Sequence, residues 1–229
     1  MAERRVSPGS AASQTGPVMG VVFAVLFIGG VFAFGELLGS SGDSDAAFET
    51  YFASNSNRAS NLIGGVLFGA AGLVFVSFLV HLGQWLQPDD RRAEVRSRIS
   101  MTSGLMFVAL LLGATAALVT VPFILVFGEL YDEEPNGVLE SGKALLPQLG
   151  FVLLVFYAMW AAAVMVATTT VSARQSGLLP RWICRVGFVV SGLLVMVGPS
   201  VLGLFVLPAW VALISGYWFR AQKRIPDAA

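Results

Sequence analysis

The sequence has few residues of the kinds that carry out chemistry. Its 229 residues include one cysteine and one histidine, and only 12% of them are charged. A single cysteine excludes a disulfide within the chain and any cysteine-rich metal cluster. A single histidine excludes every site that needs two imidazoles from one chain. The 14 lysines and arginines equal the 14 aspartates and glutamates, whereas a nucleic-acid binder normally carries an excess of positive charge. We therefore expect no nucleic acid among its partners.

The sequence is instead rich in long apolar stretches. Hydrophobic residues make up 56% of the chain and its mean hydropathy is +0.77. A helix needs about 20 apolar residues to cross the hydrocarbon of a bilayer, and four uncharged stretches have this length. A fifth stretch, from 183 to 219, is long enough for two short crossings, and Pro199 favours a break at its middle. The sequence predicts six spans, at about 17–35, 62–86, 101–128, 149–171, 183–197 and 201–219.

The basic residues give an independent test of this count. With six spans, 12 of the 14 lysines and arginines fall on the side of the two termini, and only Arg58 and Lys143 fall on the other. The side rich in arginine is the cytoplasmic one by the positive-inside rule. We therefore predict an all-α, multi-pass bundle of six transmembrane helices in the cell membrane. Its membrane domain covers 17–220, and both tails, 1–16 and 221–229, lie in the cytoplasm.

The two predicted outer loops, 36–60 and 129–146, carry nine of the 14 carboxylates. Within the first, the segment from Asp45 to Arg58 is predicted to form a short amphipathic helix at the interface. Carboxylates at the outer span ends would bind a cation or stay solvated among the headgroups. Arg58 would clasp a lipid phosphate or bridge to a carboxylate and so pin this loop onto the bundle. We favour solvated carboxylates and the bridge. The candidate outer polar cluster is Glu36, Asp45, Glu49, Arg58 and Glu129.

Three aromatic residues lie in the middle of predicted spans rather than at their ends. Tyr157 and Trp160 are three residues apart and share a helix face. Trp210 lies two residues after Pro208, which is expected to kink the sixth span. These three are a candidate intramembrane pocket for a lipid or another apolar molecule, although ordinary bundle packing accounts for the same pattern.

His81 lies near the inner end of the second predicted span, four residues after Ser77 on the same helix face. It is a candidate lone ligand for a metal or a tetrapyrrole. Packing within the bundle, or extension toward the cytoplasmic headgroups, is the interpretation that we favour. We expect neither a cofactor nor a resident metal.

Hydroxyl and small residues at helical spacing predict close packing between helices. The three threonines at 168–170 end the fourth span, and such hydroxyls usually bond to a carbonyl one turn back or to a neighbouring helix. Gly65 and Gly69 are four residues apart, as are Gly187 and Ser191, and this spacing allows two backbones to approach. The pattern leaves open whether these contacts form within one chain or between chains.

Two segments carry a resemblance to known sequences. The first contains Asp45, Phe48, Tyr51 and Phe52, followed by Asn57-Arg58 and by a span that ends in Gln84-Trp85-Leu86. The second is Ser176-Gly177-Leu178-Leu179-Pro180-Arg181-Trp182, which runs into a closing helical hairpin. This pattern is similar to that of uncharacterised six-span bacterial integral membrane proteins, a domain of unknown function. The resemblance would cover about 17–220, and it implies the six-helix topology and no activity.

No nucleophile in the sequence has a base nearby, and the chain has no H-E-x-x-H, G-x-S-x-G or C-x-x-C motif. We therefore expect a protein that is not an enzyme. The first hypothesis is a scaffold or accessory subunit that contacts another membrane protein, or a second copy, through its outer loops or small-residue faces. The alternative is a passive carrier or channel for an apolar or lipid-like solute.

Overall fold

The computed structural model describes residues 15–39, 50–86, 91–127, 145–198 and 200–223, and within them the chain is helical with no strand. This confirms the all-α prediction. The helices are α1 (Thr15–Gly39), α2 (Asn55–Trp85), α3 (Arg91–Phe127), α4 (Leu145–Val152), a π-helix (Leu153–Ala158), α5 (Met159–Gln175), α6 (Arg181–Met196) and α7 (Gly203–Lys223). Because α4, the π-helix and α5 follow one another without a break, we refer to them together as the fourth helix.

Five helices in the described part of the chain are long and apolar enough to cross a membrane. They are Thr15–Gly35, Asn55–Trp85, Glu94–Phe127, Leu145–Gln175 and Gly203–Ala221, and they indicate a multi-pass, membrane-embedded protein. The predicted fifth span corresponds to α6, which has only 16 residues. At 1.5 Å per residue it is about 24 Å long, shorter than a usual crossing.

The helices extend beyond the predicted spans at several ends. The helix α2 begins at Asn55 and α3 at Arg91, seven and ten residues before the predicted starts at 62 and 101. The predicted spans stop at the first charged or polar residues, whereas a helix continues among headgroups and water. In this extension of α3, Arg98 Nη2 lies 2.6 Å from Glu94 Oε1, one turn away. The pair is exposed, so it stabilises the helix only slightly.

The helices contact one another in chain order. The helix α1 packs on α2, α2 on α3, α3 on the fourth helix, α5 on α6 and α6 on α7, while α7 also packs back against α1. The order of contacts is therefore a closed ring. The break predicted near Pro199, which lies outside the described residues, falls between α6 and α7. At the start of α7, Gly203 N donates to Ser200 O at 2.9 Å.

Phenylalanine rings fill the core between α1, α2 and α3. The ring of Phe75 lies 4.4 Å from that of Phe23 and 5.2 Å from that of Phe107, measured between centroids, and Phe27 lies 5.0 Å from Phe68. All five rings are fully buried. Tilted and edge-on aromatic contacts of this kind add stabilisation beyond the burial of their area.

Small residues bring α5 and α6 into close contact, as their spacing predicts. A methyl group added at Gly187 would collide with Thr170 Oγ1. One turn further along α6, the Ser191 hydroxyl donates to the Ala163 carbonyl at 2.9 Å. The contact that the sequence left unassigned thus lies within one chain.

Candidate functional site

A polar region held by several side-chain hydrogen bonds lies where residues 50–53, a short helix, meet the start of α2. Arg58 Nε donates to the Phe52 carbonyl, and Arg58 Nη1 lies 3.5 Å from Asn55 Oδ1. Asn57 Nδ2 donates to the Tyr51 carbonyl at 3.0 Å. Arg58 therefore pins the preceding segment onto α2, through a main-chain carbonyl.

Of the other members of the predicted outer cluster, Asp45, Glu49 and Glu129 lie outside the described residues. Glu36 lies in α1, and its side chain is likewise outside the description. A bridge from Arg58 to one of these carboxylates stays a prediction. The amphipathic helix predicted from Asp45 to Arg58 is seen only in part, because residues 50–53 are helical and Ser54 separates them from α2.

Asn61 is a functional candidate that the sequence did not suggest. It is fully buried, and its Nδ2 donates to the Tyr51 hydroxyl at 3.1 Å and to the Asn57 carbonyl at 2.8 Å. If the amide were turned the other way, Asn61 Oδ1 would face the Asn57 carbonyl oxygen, and two acceptors cannot form a hydrogen bond. The orientation with Nδ2 toward that carbonyl is therefore the favourable one. Asn61 Oδ1 has no hydrogen-bond partner in the described part of the chain. The one feature of the sequence that could have singled out Asn61 is its position directly before the uncharged span that starts at 62.

A kink in α1 completes this region. Gly35 has φ 35°, a left-handed value that glycine adopts readily. An α-helical carbonyl bonds to the N–H four residues later, and for Ala33 that N–H lies beyond the kink. The Ser60 hydroxyl donates to the Ala33 carbonyl at 2.8 Å, just before this kink. We refer to residues 50–61, held together and to α1 by these bonds, as the outer platform.

His81 is oriented by its own helix. Its Nδ1 lies 2.7 Å from the Ser77 carbonyl, and since a carbonyl only accepts, Nδ1 donates the hydrogen of this bond. The residue is half-buried, and its Cβ packs near Gly16 of α1. Within the described residues there is no group of three His, Cys, Asp or Glu side chains that would hold a metal. The contact with α1 agrees with the packing interpretation.

The three mid-span aromatic residues do not form one pocket. Tyr157 is 50% exposed and Trp160 is 46% exposed, and their ring centroids are 6.2 Å apart in an edge-on contact. Trp210 is 2% exposed and lies in the core. The structure therefore brings the first two together on the outer surface of the fourth helix and places the third inside. The helix α7 continues through Pro208.

The hydroxyls at 168–170 bond as predicted. Thr168 and Thr170 donate to carbonyls one turn back, and Thr169 Oγ1 lies 2.7 Å from Ser100 Oγ on α3. Beside this pair is a cavity of about 20 Å³, lined by Leu79, Leu82, Gly83, Leu86, Ser97, Ser100, Met101, Thr169 and Ser172. It has room for one water molecule, which suits a structural junction rather than a substrate site.

In comparisons with known families, curated proteins and solved structures, none matches this chain. The resemblance to six-span bacterial membrane proteins therefore stays a prediction.

Proposed function

We propose that the chain is a six-span protein of the cell membrane, with both termini in the cytoplasm, and that it is a non-catalytic scaffold or accessory subunit of a membrane complex. The observation that carries this proposal is the outer platform. It is a polar surface that its own hydrogen bonds hold in place, at the end of a bundle whose core is filled. Its partner would be another membrane protein.

The outer platform is suited to recognition because it is ordered before a partner arrives. Arg58 and Asn57 hold the backbone of residues 51 and 52, and Asn61 orients the Tyr51 hydroxyl. A surface that is already ordered loses less conformational entropy on binding. Amides and a guanidinium also offer directional hydrogen bonds, whereas an acid–base site needs groups that exchange protons near neutral pH.

The filled core favours a scaffold over the alternative of a carrier. Fully buried rings from three helices, Phe23, Phe75 and Phe107 among them, occupy the space between α1, α2 and α3. A carrier would need room for its apolar solute, either in this space or in a pocket lined by both the fourth helix and α7. Trp210 faces the core, away from the exposed pair of Tyr157 and Trp160, which gives the carrier hypothesis no common pocket.

The surface of α6 supports a sixth crossing. No residue from Val186 to Met196 is charged, and the exposed ones include Phe188, Val189 and Leu193. Apolar side chains are more stable in hydrocarbon than in water, and a bilayer thins locally around a short span at modest cost. A sixth crossing also keeps Arg220 and the cations after it on the cytoplasmic side, in line with the positive-inside rule.

The topology is tested by cysteine labelling in a Cys184→Ala background. An impermeant maleimide added to intact cells is expected to label Asn136→Cys and to leave Gln222→Cys unlabelled, because only the former would lie outside. Both variants should react after the cells are broken, which controls for reactivity. Labelling of Gln222→Cys in intact cells would contradict six crossings.

The proposed role is tested by purifying the full chain from its native membrane in a mild detergent. We expect a complex of fixed stoichiometry with another membrane protein. Arg58→Gln removes the guanidinium that holds the Phe52 carbonyl, and charge-assisted bonds of this kind contribute about 1.5–3 kcal/mol. Recovery of the partner should therefore fall about tenfold or more.

The matched control is Arg174→Gln, which removes an exposed arginine at the other end of the bundle. It should leave recovery of the partner unchanged. A monomer that carries lipid between the fourth helix and α7 would support the carrier instead. Equal recovery from the Arg58 and Arg174 variants would count against the outer platform as the binding surface.

A further inference from the structure

One narrow face of the fourth helix is exposed along its length, while its other sides pack against α3 and α6. Between 148 and 164, five of the six exposed residues, all but Leu149, form a line that we name the outward stripe. It consists of Gln148, Val152, Tyr157, Trp160 and Val164. The stripe combines apolar side chains with three that carry polar atoms.

The π-helix is what aligns this stripe. In an α-helix, with 3.6 residues per turn, Val152 and Tyr157 would point about 140° apart. In a π-helix the hydrogen bond joins residues five apart, so such residues lie almost above one another. The segment Leu153–Ala158 adopts this geometry. It thereby turns the Tyr157 hydroxyl onto the same face as Val152 and Trp160.

The central part of the stripe lies at the depth of the hydrocarbon. A methyl group at Gly150 would lie 2.8 Å from the Ala114 carbonyl of α3, and further along the helix Thr169 bonds to Ser100. Tyr157 and Trp160 lie between these two contacts. They therefore stand beside the stretch of α3 from 101 to 127, which contains no charged residue.

At this depth the polar atoms of the stripe need a protein partner. The Tyr157 hydroxyl and the Trp160 N–H have no hydrogen bond to any other described residue. Hydrocarbon contains no water to satisfy them, and an unsatisfied polar group there is costly. Lipid acyl chains carry no acceptor either. The occupant of this face must therefore supply an acceptor at the level of Trp160.

We propose that this occupant is a second copy of the same chain, packed through the outward stripe. The indole N–H only donates, whereas the Tyr157 oxygen also accepts, so two identical stripes complement each other. A two-fold axis along the membrane normal keeps both copies in the same orientation and brings equal depths together. Along the helix axis Trp160 lies three residues, about 4.5 Å, from Tyr157, and the long indole and phenol side chains of two neighbouring copies can span this offset.

The pairing is reciprocal. Each Trp160 donates to the Tyr157 oxygen of the other copy, which makes two equivalent hydrogen bonds across the axis. Gln148 lies on the same face nearer the outer end of the helix, and its amide both donates and accepts, so it pairs with its own counterpart. The dimer goes beyond the proposed scaffold role and requires no heteromeric partner.

The first test measures dimerisation of the labelled full chain in phosphatidylcholine vesicles, over a range of protein-to-lipid ratios, by counting photobleaching steps. Hydrogen bonds between membrane helices contribute modestly, so Trp160→Phe should raise the dimer dissociation constant about 3- to 10-fold. Trp182→Phe is the matched control, since Trp182 is 55% exposed on α6, away from the stripe. It should leave the constant unchanged.

A double-mutant cycle identifies the bond itself. Tyr157→Phe and Trp160→Phe each remove the same hydrogen bond, so the double variant should weaken the dimer no more than either single variant does. Additive effects would mean that the two side chains act separately and would overturn the proposed pairing.

The second test uses oxidative cross-linking in native membranes, in a Cys184→Ala background. Val164→Cys, on the stripe, should form a disulfide-linked dimer, whereas Val189→Cys, exposed on α6, should not. Equal cross-linking at the two positions would overturn the dimer. So would a wild-type chain that stays monomeric in vesicles at every protein-to-lipid ratio. A heteromeric complex recovered together with such a monomer would leave the scaffold role standing, so the two proposals can fail separately.

Discussion

Phe75→Ala is expected to lower the free energy of unfolding of the bundle by about 3–5 kcal/mol. Phe75 lies at the junction of three helices, 4.4 Å from the ring of Phe23 on α1 and 5.2 Å from that of Phe107 on α3. Removing its ring leaves a cavity whose walls are themselves aromatic rings held by other contacts. Because such walls relax only partly, the loss of unfolding free energy is expected to be among the larger ones seen when a core side chain is truncated.

The loss is measured by SDS-induced unfolding of the full chain in mixed micelles, followed by circular dichroism. The matched control is Phe32→Ala, because Phe32 is also on α1 and is 71% exposed to the surroundings of the bundle. Its removal should change the unfolding free energy by less than about 1 kcal/mol, since no cavity forms. Equal losses at the two positions would contradict the phenylalanine core.

Gly187→Val is expected to separate α6 from α5. Even a methyl group at this position collides with Thr170 Oγ1, which is itself fixed by a 2.7 Å bond to the Val166 carbonyl. Overpacking of a close contact costs about 1–3 kcal/mol, and the bond from Ser191 to Ala163 would be strained as well. The stability of the chain should therefore fall, and the face of α6 that packs on α5 should open.

Cys184 reports this opening directly, because its thiol is buried on the same helix. Its reaction with a membrane-permeant maleimide should accelerate about tenfold in Gly187→Val. Gly192→Val serves as the control, since Gly192 is on the same helix and has open space where the side chain would go. A Gly187 variant whose thiol stays as protected as in the Gly192 variant would show that the two helices do not depend on this contact.

The helical fold could be predicted because apolar length alone selects a membrane helix. The helix ends could not, because their limits depend on local hydrogen bonds rather than on hydropathy. The helix α2 starts seven residues before the predicted span because Asn57 and Arg58 bond back to the segment before it. In the sequence, those same polar residues suggested the end of a loop.

The two surfaces that carry the proposals were only partly visible in the sequence. Arg58 could be singled out as a rare outer cation, but Asn61 could not, because burial of its amide depends on where residues 50–53 fold. The spacing of Tyr157 and Trp160 predicted a shared face correctly. Their separation from Trp210 depends on how the fourth helix and α7 are rotated about their axes in the bundle. The π-helix also changes which residues of the fourth helix share a face, and the α-helical period of 3.6 residues does not predict this change.

The closed ring of contacts has a consequence for how the protein is made. Neighbours along the chain are neighbours in space, so each helix that enters the bilayer during synthesis finds its packing partner already there. The last step is the exception. The helix α7 must return past the other helices to α1, where Trp218 packs at Gly16 and Ser215 at Gly20. That face of α1 therefore waits for α7, so the ring of contacts closes only after α7 has been synthesised.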